Sequence, residues 1–307
     1  MSSNIYTDLA MEARELSGKA SGIAESNDTK NGVAISRIDI LDEAAGERIG
    51  KRPGRYVTLE APKLAERTDE VFRSVAFTLA SELSALTGEL DENATILIAG
   101  LGNRYVTPDS LGPRVAERVF VTRHINKLMP EALPGRVRSV CAVSPGVMGV
   151  TGVQTRELLS GIVDNIRPDL MIAVDSLASR RAARISSTVQ LSNAGISPGG
   201  GVGNTQAGLF EEELDVPVIA IGVPMVVYAS TIAEDTINYI AGDISYPVDR
   251  EKLTASVARA MDEHIGPLIV TPKDIDTIVE DMSKVVAEGI NRALFGRMYG
   301  EIASLTS

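Results

Sequence analysis

Short strand-like runs, most of them rich in apolar residues, separated by amphipathic stretches constrain this chain more than any other feature. The runs are ATILIAG (94–100), VRSVCAV (137–143), DLMIAVDS (169–176), STVQLS (187–192) and VPVIAIGVP (216–224). Helix-period segments at 110–129, 153–166 and 207–214 lie between them, and another at 225–241 follows the last run. A strand that is apolar along its whole length is buried on both faces, and its alternation with helices indicates a mainly parallel sheet covered on both sides. Right-handed crossovers would gather the strand C-termini on one edge, where open α/β sheets place their ligand sites. The predicted fold is therefore α/β, a mainly parallel sheet with helices on both faces, plus an N-terminal extension. In that extension VAISRIDIL and RYVTLEA alternate like the strands of an edge hairpin. A helix is expected over 64–86, stopped by Gly88, and another over 271–295 with Pro272 at its first position.

Composition narrows the function. A formal net charge of −11 and few aromatics (no Trp, 5 Phe, 7 Tyr) give no basic face for nucleic acid. No run approaches the roughly 20 apolar residues of a membrane span, and the polar, acidic N-terminus is no secretory signal. A soluble intracellular protein is expected. The single cysteine, Cys141, cannot staple the fold; it reads as a small buried hydrophobe, since neither His124 nor His264 is placed beside it as a base.

The loops after the strands carry the chemistry. GLGNRYVTPDSLGP (100–113) has Tyr105 where a dinucleotide fingerprint needs its third glycine, and NAGISPGGGVGN (193–204) lacks a phosphate-binding lysine. There is no G-x-S-x-G elbow. Two aspartates remain. Asp175 ends an apolar run, where an ionisable group is costly without a purpose or a partner. Asp109 precedes a helix, so an N-cap explains it equally well. Together they would form a carboxylate pair with split pKa values, one activating water while the other donates a proton. Such a pair suits amide hydrolysis; it would hold a metal only with a third ligand, usually histidine.

GLGNRYVTPDSLGP, VTRHI, SPGVMGVTGVQT, IAVDSLASR, GISPGGGVGN and VPVIAIGVP, in this order, resemble the germination protease family of spore-forming Firmicutes. The resemblance extends from TDLAMEARE to VTPKDIDTIVEDMSKVVAEGINRAL. It implies an endopeptidase of an atypical aspartic type, on a fold similar to the hydrogenase maturation endopeptidases, with no cofactor or metal. Its essential aspartates, in the TPD-x-LGP and D-x-LA-x-R motifs, fall on Asp109 and Asp175. The implied substrates are small acid-soluble spore proteins, the implied assembly a homotetramer, and the implied place the forespore or spore core, a cytoplasmic compartment. The family is made as a zymogen that cuts itself. TDLAMEA (7–13) resembles the processing site, which puts the cut between Asp8 and Leu9, residues 1–8 in a propeptide and 9–307 in a single endopeptidase domain. Gly199, Gly200 and Gly201 are the candidates for close approach of a substrate backbone. A chain that retains Met1 is expected to be the unprocessed form. The stretch 241–268 is shorter than the family's usual insertion before the C-terminal helix. Two other readings remain: a metal-dependent hydrogenase-maturation-type endopeptidase, which should carry a histidine ligand, and a non-catalytic binding module.

Overall fold

The computed structural model describes residues 7–18, 21–133, 135–199, 207–243, 250–264, 266 and 268–306. The expected strands appear as β4 (Thr95–Gly100), β5 (Ser139–Val143), β6 (Leu170–Ser179), β7 (Thr188–Ser192) and β8 (Val218–Tyr228). The N-terminal part contributes β1 (Ile23–Lys30), β2 (Val33–Ile40) and β3 (Gly54–Glu60), and a short β9 (Ile269–Val270) closes the set. All belong to one sheet with the order β1-β2-β3-β7-β8-β6-β4-β5, and β9 pairs with the far end of β8. Half of it is the expected parallel sheet: β5, β4, β6 and β8 run together. The other half is antiparallel from β8 through β7 and β3 to β1.

In the parallel half, successive residues feed opposite layers. Ile96, Ile98, Ile172 and Val174 join the core under the helices Asp69–Thr87 and Ile275–Phe295. Leu97, Ala99, Met171 and Ala173 join a second core with Leu159 and Val163 of the helix Thr155–Ile166. A third cluster, on the antiparallel half, packs Leu9, Ala10 and Met11 against Ile38, Ile40, Tyr56 and Leu177.

Several expectations need correction, among them the helix expected over 64–86, which begins at Asp69 after a 3-10 turn at Pro62–Glu66. β7 is antiparallel to β8 rather than part of the parallel set. Its link from β6, residues 180–187, holds only a short 3-10 turn at Ala182–Arg184 and is too short for a parallel crossover, which takes a dozen or more residues. The helix expected over 110–129 is two helices, Leu111–Ala116 and Arg123–Leu128. The β-branched and aromatic stretch Val119–Thr122 between them leaves the helix to bond elsewhere: Thr122 donates its N–H to the Val140 carbonyl (3.0 Å), and Phe120 donates its N–H to Asn291 Oδ1 (2.9 Å). The helix at 207–214 shrinks to Glu211–Leu214, and the C-terminal helix starts at Ile275, so Pro272 lies ahead of it. The segment 225–241 splits, because β8 continues to Tyr228 before the helix Ala229–Asp243 begins. Among the described residues no helix is long and apolar enough to cross a membrane.

Candidate active site

Asp175 lies inside β6 rather than at its end: the strand continues to Ser179, with a register shift against β8 between Leu177 and Ala178. It extends the row Met171, Ala173 beyond the last residue of β4, since Gly100 pairs with Val174. The side chain is 4% exposed. β4 ends there, and its following loop folds back over β6, with Leu101 donating its N–H to the Val174 carbonyl (2.8 Å). Two glycines make that fold possible. A Cβ on Gly112 would strike the carbonyl oxygens of Leu101 and Val174, and a Cβ on Gly102, whose φ is +104°, would strike Asp109 itself. The glycine-rich loop thus brings its far end, Asp109, onto the strand that carries Asp175.

Asp109 is not a helix cap. The helix that follows has Ser110 at its N-cap position and no side-chain cap, while Asp109 Oδ2 accepts the backbone N–H of Asn103 (2.8 Å), back in the loop. Both carboxyls line one cleft of about 350 Å³, with Leu101, Val147, Leu177 and Gly199 on its walls. Burial pushes the Asp175 pKa well above the usual carboxylate range, and the charges of Asp109 and Asp8 push it the same way against the Ser176 N–H bond. Burial also raises Asp109, opposed by the Asn103 N–H. Two adjacent carboxyls that both resist ionisation are suited to holding one proton and one charge between them.

The third acid in the cleft is Asp8. It borders this cleft and the adjoining one of about 380 Å³, which share Asp8, Asp175, Ser176, Leu177 and Gly199. The N-terminal segment is pinned there residue by residue. Asp8 donates its N–H to the Ala178 carbonyl (2.9 Å), and its Oδ2 accepts the Ala178 N–H (2.8 Å). The Asp8 carbonyl oxygen accepts from Lys51 Nζ (3.0 Å) and Gln190 Nε2 (3.1 Å), while Gln190 Oε1 accepts the Ala10 N–H (2.7 Å). Leu9 is fully buried, and Glu12, 1% exposed, meets Arg184 Nη1 (2.9 Å) and the N–H groups of Arg180 (2.6 Å) and Arg181 (3.0 Å). Burial raises the Asp8 pKa despite the nearby Lys51 ammonium.

The sequence profile described as germination protease matches residues 2–261. The germination protease of Caldanaerobacter subterraneus subsp. tengcongensis is 44% identical over 305 residues, covering 94% of each chain. That of Clostridium acetobutylicum is 42% identical over 311, covering 95% of each. The chain belongs to the germination protease family. Membership gives the chain a proteolytic, hydrolase role in germination. Among solved structures, a [NiFe] hydrogenase maturation protease HycI from Thermococcus kodakarensis KOD1 is similar over 64% of this chain and 92% of its own, with 16% identity and a TM-score of 0.32. The sheet itself, not that likeness, establishes the α/β architecture.

The structure brings together Asp109, Asp175, Asp8 and Gly199. Leu9 is buried beside them in the third core cluster. Gly200 and Gly201 lie outside the described residues. The described residues contain no group of three or more His, Cys, Asp or Glu side chains placed to hold a metal ion. Cys141 is half-buried against the second core layer, with Sγ toward the Ile96 carbonyl (3.6 Å), and burial raises its thiol pKa. Sequence reasoning missed Lys51 and Gln190; Ser176 lines the cleft with a buried Oγ that has no hydrogen-bond partner among the described residues. In the alternating strand TVQLS, Gln190 shares a row with Thr188 and Ser192, so the sequence carries no signal that it is buried and in need of a partner.

Proposed function

We propose that this chain is a zymogen endopeptidase that hydrolyses peptide bonds with Asp109 and Asp175, first its own Asp8–Leu9 bond and then those of small acid-soluble spore proteins during germination. The observation that carries this reading is the junction itself. The segment matching the expected processing site runs through the cleft that holds both aspartates, fixed by Ala178 on one side and by Lys51 and Gln190 on the other. One carboxylate takes a proton from water as the water oxygen bonds to the Asp8 carbonyl carbon. The other, protonated, gives its proton to the Leu9 nitrogen as the C–N bond breaks. A pair that resists double ionisation supplies one partner in each state.

While uncut, residues 7–12 occupy the positions that a substrate needs, which keeps the protease inactive toward other chains. Residues 1–8 then form the propeptide and 9–307 the endopeptidase domain. The assembly is a homotetramer in the spore core. The exposed apolar side chains Ile232, Tyr239 and Ile240 of the helix Ala229–Asp243 support self-association, because isolated monomers rarely leave such a cluster in water.

The test is cleavage of a purified small acid-soluble spore protein by wild type, Asp109→Asn and Asp175→Asn after mildly acidic incubation. Wild type is expected to cut after losing eight residues, with both variants slower by about 10³-fold. Cutting by both variants at the wild-type rate would make the pair structural and the mechanism wrong.

A further inference from the structure

The geometry points to Lys51 and Gln190 as the groups that hold the oxyanion when the Asp8–Leu9 bond is hydrolysed, an inference that rests on the proposed self-cleavage. Two hydrogen-bond donors from different elements converge on one carbonyl oxygen, that of Asp8, at 3.0 Å from Lys51 Nζ and 3.1 Å from Gln190 Nε2. This is the oxygen that gains negative charge when water adds to the carbonyl carbon. Donors already in place for that charge are the usual largest single source of rate in acyl transfer.

Both groups are held in place by the fold. Lys51 follows the helix Glu43–Ile49, and its backbone N–H donates to the Gly46 carbonyl (3.1 Å). Gly46 has no side chain because a Cβ would collide with the Lys51 carbonyl oxygen. The ammonium also donates to the Thr7 carbonyl (2.9 Å), which leaves it spanning two successive peptide groups rather than paired with a single carboxylate. Gln190, 8% exposed on β7, uses its amide as a peptide group would. It donates to the carbonyl of Asp8 and accepts from the N–H of Ala10, so it brackets the Asp8–Leu9 bond and sets its register.

The electrons and protons balance with these two as spectators in composition. Water adds to the carbonyl carbon, its proton goes to the ionised carboxylate, and the C=O electron pair moves onto the oxygen facing Lys51 and Gln190. The pair returns as the C–N bond breaks, and the Leu9 nitrogen leaves with the proton of the other carboxyl. Neither donor gives up its proton; each shortens its bond to a more negative oxygen. Burial pushes the Lys51 pKa down, and the facing Asp8 and Glu12 carboxyls oppose that and favour the ammonium.

The experiment follows loss of residues 1–8 by intact mass in the full-length chain, comparing wild type, Lys51→Met, Gln190→Glu and Asp175→Asn, with amide exchange at Ala10 and Ala13 recorded on each. Lys51→Met is expected to slow processing by about 10²-fold or more while the two amides stay protected, because one donor is lost and the segment is still seated. Gln190→Glu keeps the acceptor for Ala10 but turns an acceptor toward Asp8. At the highest pH at which wild type still processes, it is expected to slow processing by a similar factor, and it serves if the Met variant does not fold. Wild-type rates in either variant would overturn the assignment, as would slow processing accompanied by loss of protection, which would make the residues seats and not oxyanion donors. Asp175→Asn separates this from the parent reading: a silent Asp175→Asn beside an active Lys51→Met sinks only the oxyanion role. A wild type that keeps its N-terminus intact removes both.

Discussion

The two halves of the sheet divide the work. The parallel half, β5-β4-β6-β8, is apolar on both faces and offers a polar group only where a strand runs past its neighbour, as β6 does at Asp175. The antiparallel half, β7-β3-β2-β1, has one face open to polar side chains. It contributes Gln190, the loop carrying Lys51, and the wall of Ile38, Ile40 and Tyr56 under the N-terminal segment. In the proposed reading the chemistry sits on the half that is buried on both faces, and the hold on the peptide sits on the half that admits hydrogen bonds. The site lies at their seam, where β8 pairs in parallel with β6 and antiparallel with β7.

Substitutions on one half should disturb one property and spare the other. The largest effect is expected at the end of the N-terminal helix. Arg184→Met leaves the Glu12 carboxylate buried with the Thr7 hydroxyl and two backbone N–H groups but no cation, and removing one member of a buried ion pair costs about 3–5 kcal/mol. Denaturant unfolding should show that loss, and amide exchange should show residues 9–13 released; an unchanged midpoint would mean that the pair does not anchor the segment. Next, Gly102→Ala forces the loop after β4 away from Asp109 and should slow self-processing by roughly 10²-fold, the effect of about 1 Å of misplacement, with the N-terminal segment still docked. Wild-type processing there would dissociate the loop from the chemistry.

The smallest effect concerns stability alone. Asp175 has a folded-state pKa raised by burial and by Asp109, so its favourable contribution is complete below the ordinary carboxylate range and is lost as pH rises through the raised value. Above that value the charged group destabilises the fold, and Asp175→Asn should melt higher by an amount worth about 1 kcal/mol at neutral pH. The gain should vanish in acid below the ordinary carboxylate pKa. A melting curve with the same offset at every pH would contradict the linkage.

The sequence made the parallel half legible because strands buried on both faces leave unbroken apolar runs, and the carboxylate pair legible because a charge at the end of such a run is conspicuous. Asp109 alone was ambiguous, since a cap and a catalytic acid look the same before a helix; only its bond to Asn103 decides. β1 escaped notice because its residues are exposed along nearly its whole length and carry no apolar period. Lys51 was invisible for another reason: its meaning depends on an antiparallel arrangement that brings a loop before β3 against a segment more than forty residues earlier in the chain. Long-range hydrogen bonds to backbone atoms leave no side-chain pattern to read.

The central claim is that the aspartates of the parallel half cut the peptide held by the antiparallel half, and intact-mass spectrometry of wild type, Asp109→Asn and Asp175→Asn over a time course of mildly acidic incubation tests it most directly. The account predicts that wild type alone loses its first eight residues and begins at Leu9, with both variants remaining full length. A new N-terminus at any other residue, or processing of both variants at the wild-type rate, would contradict it.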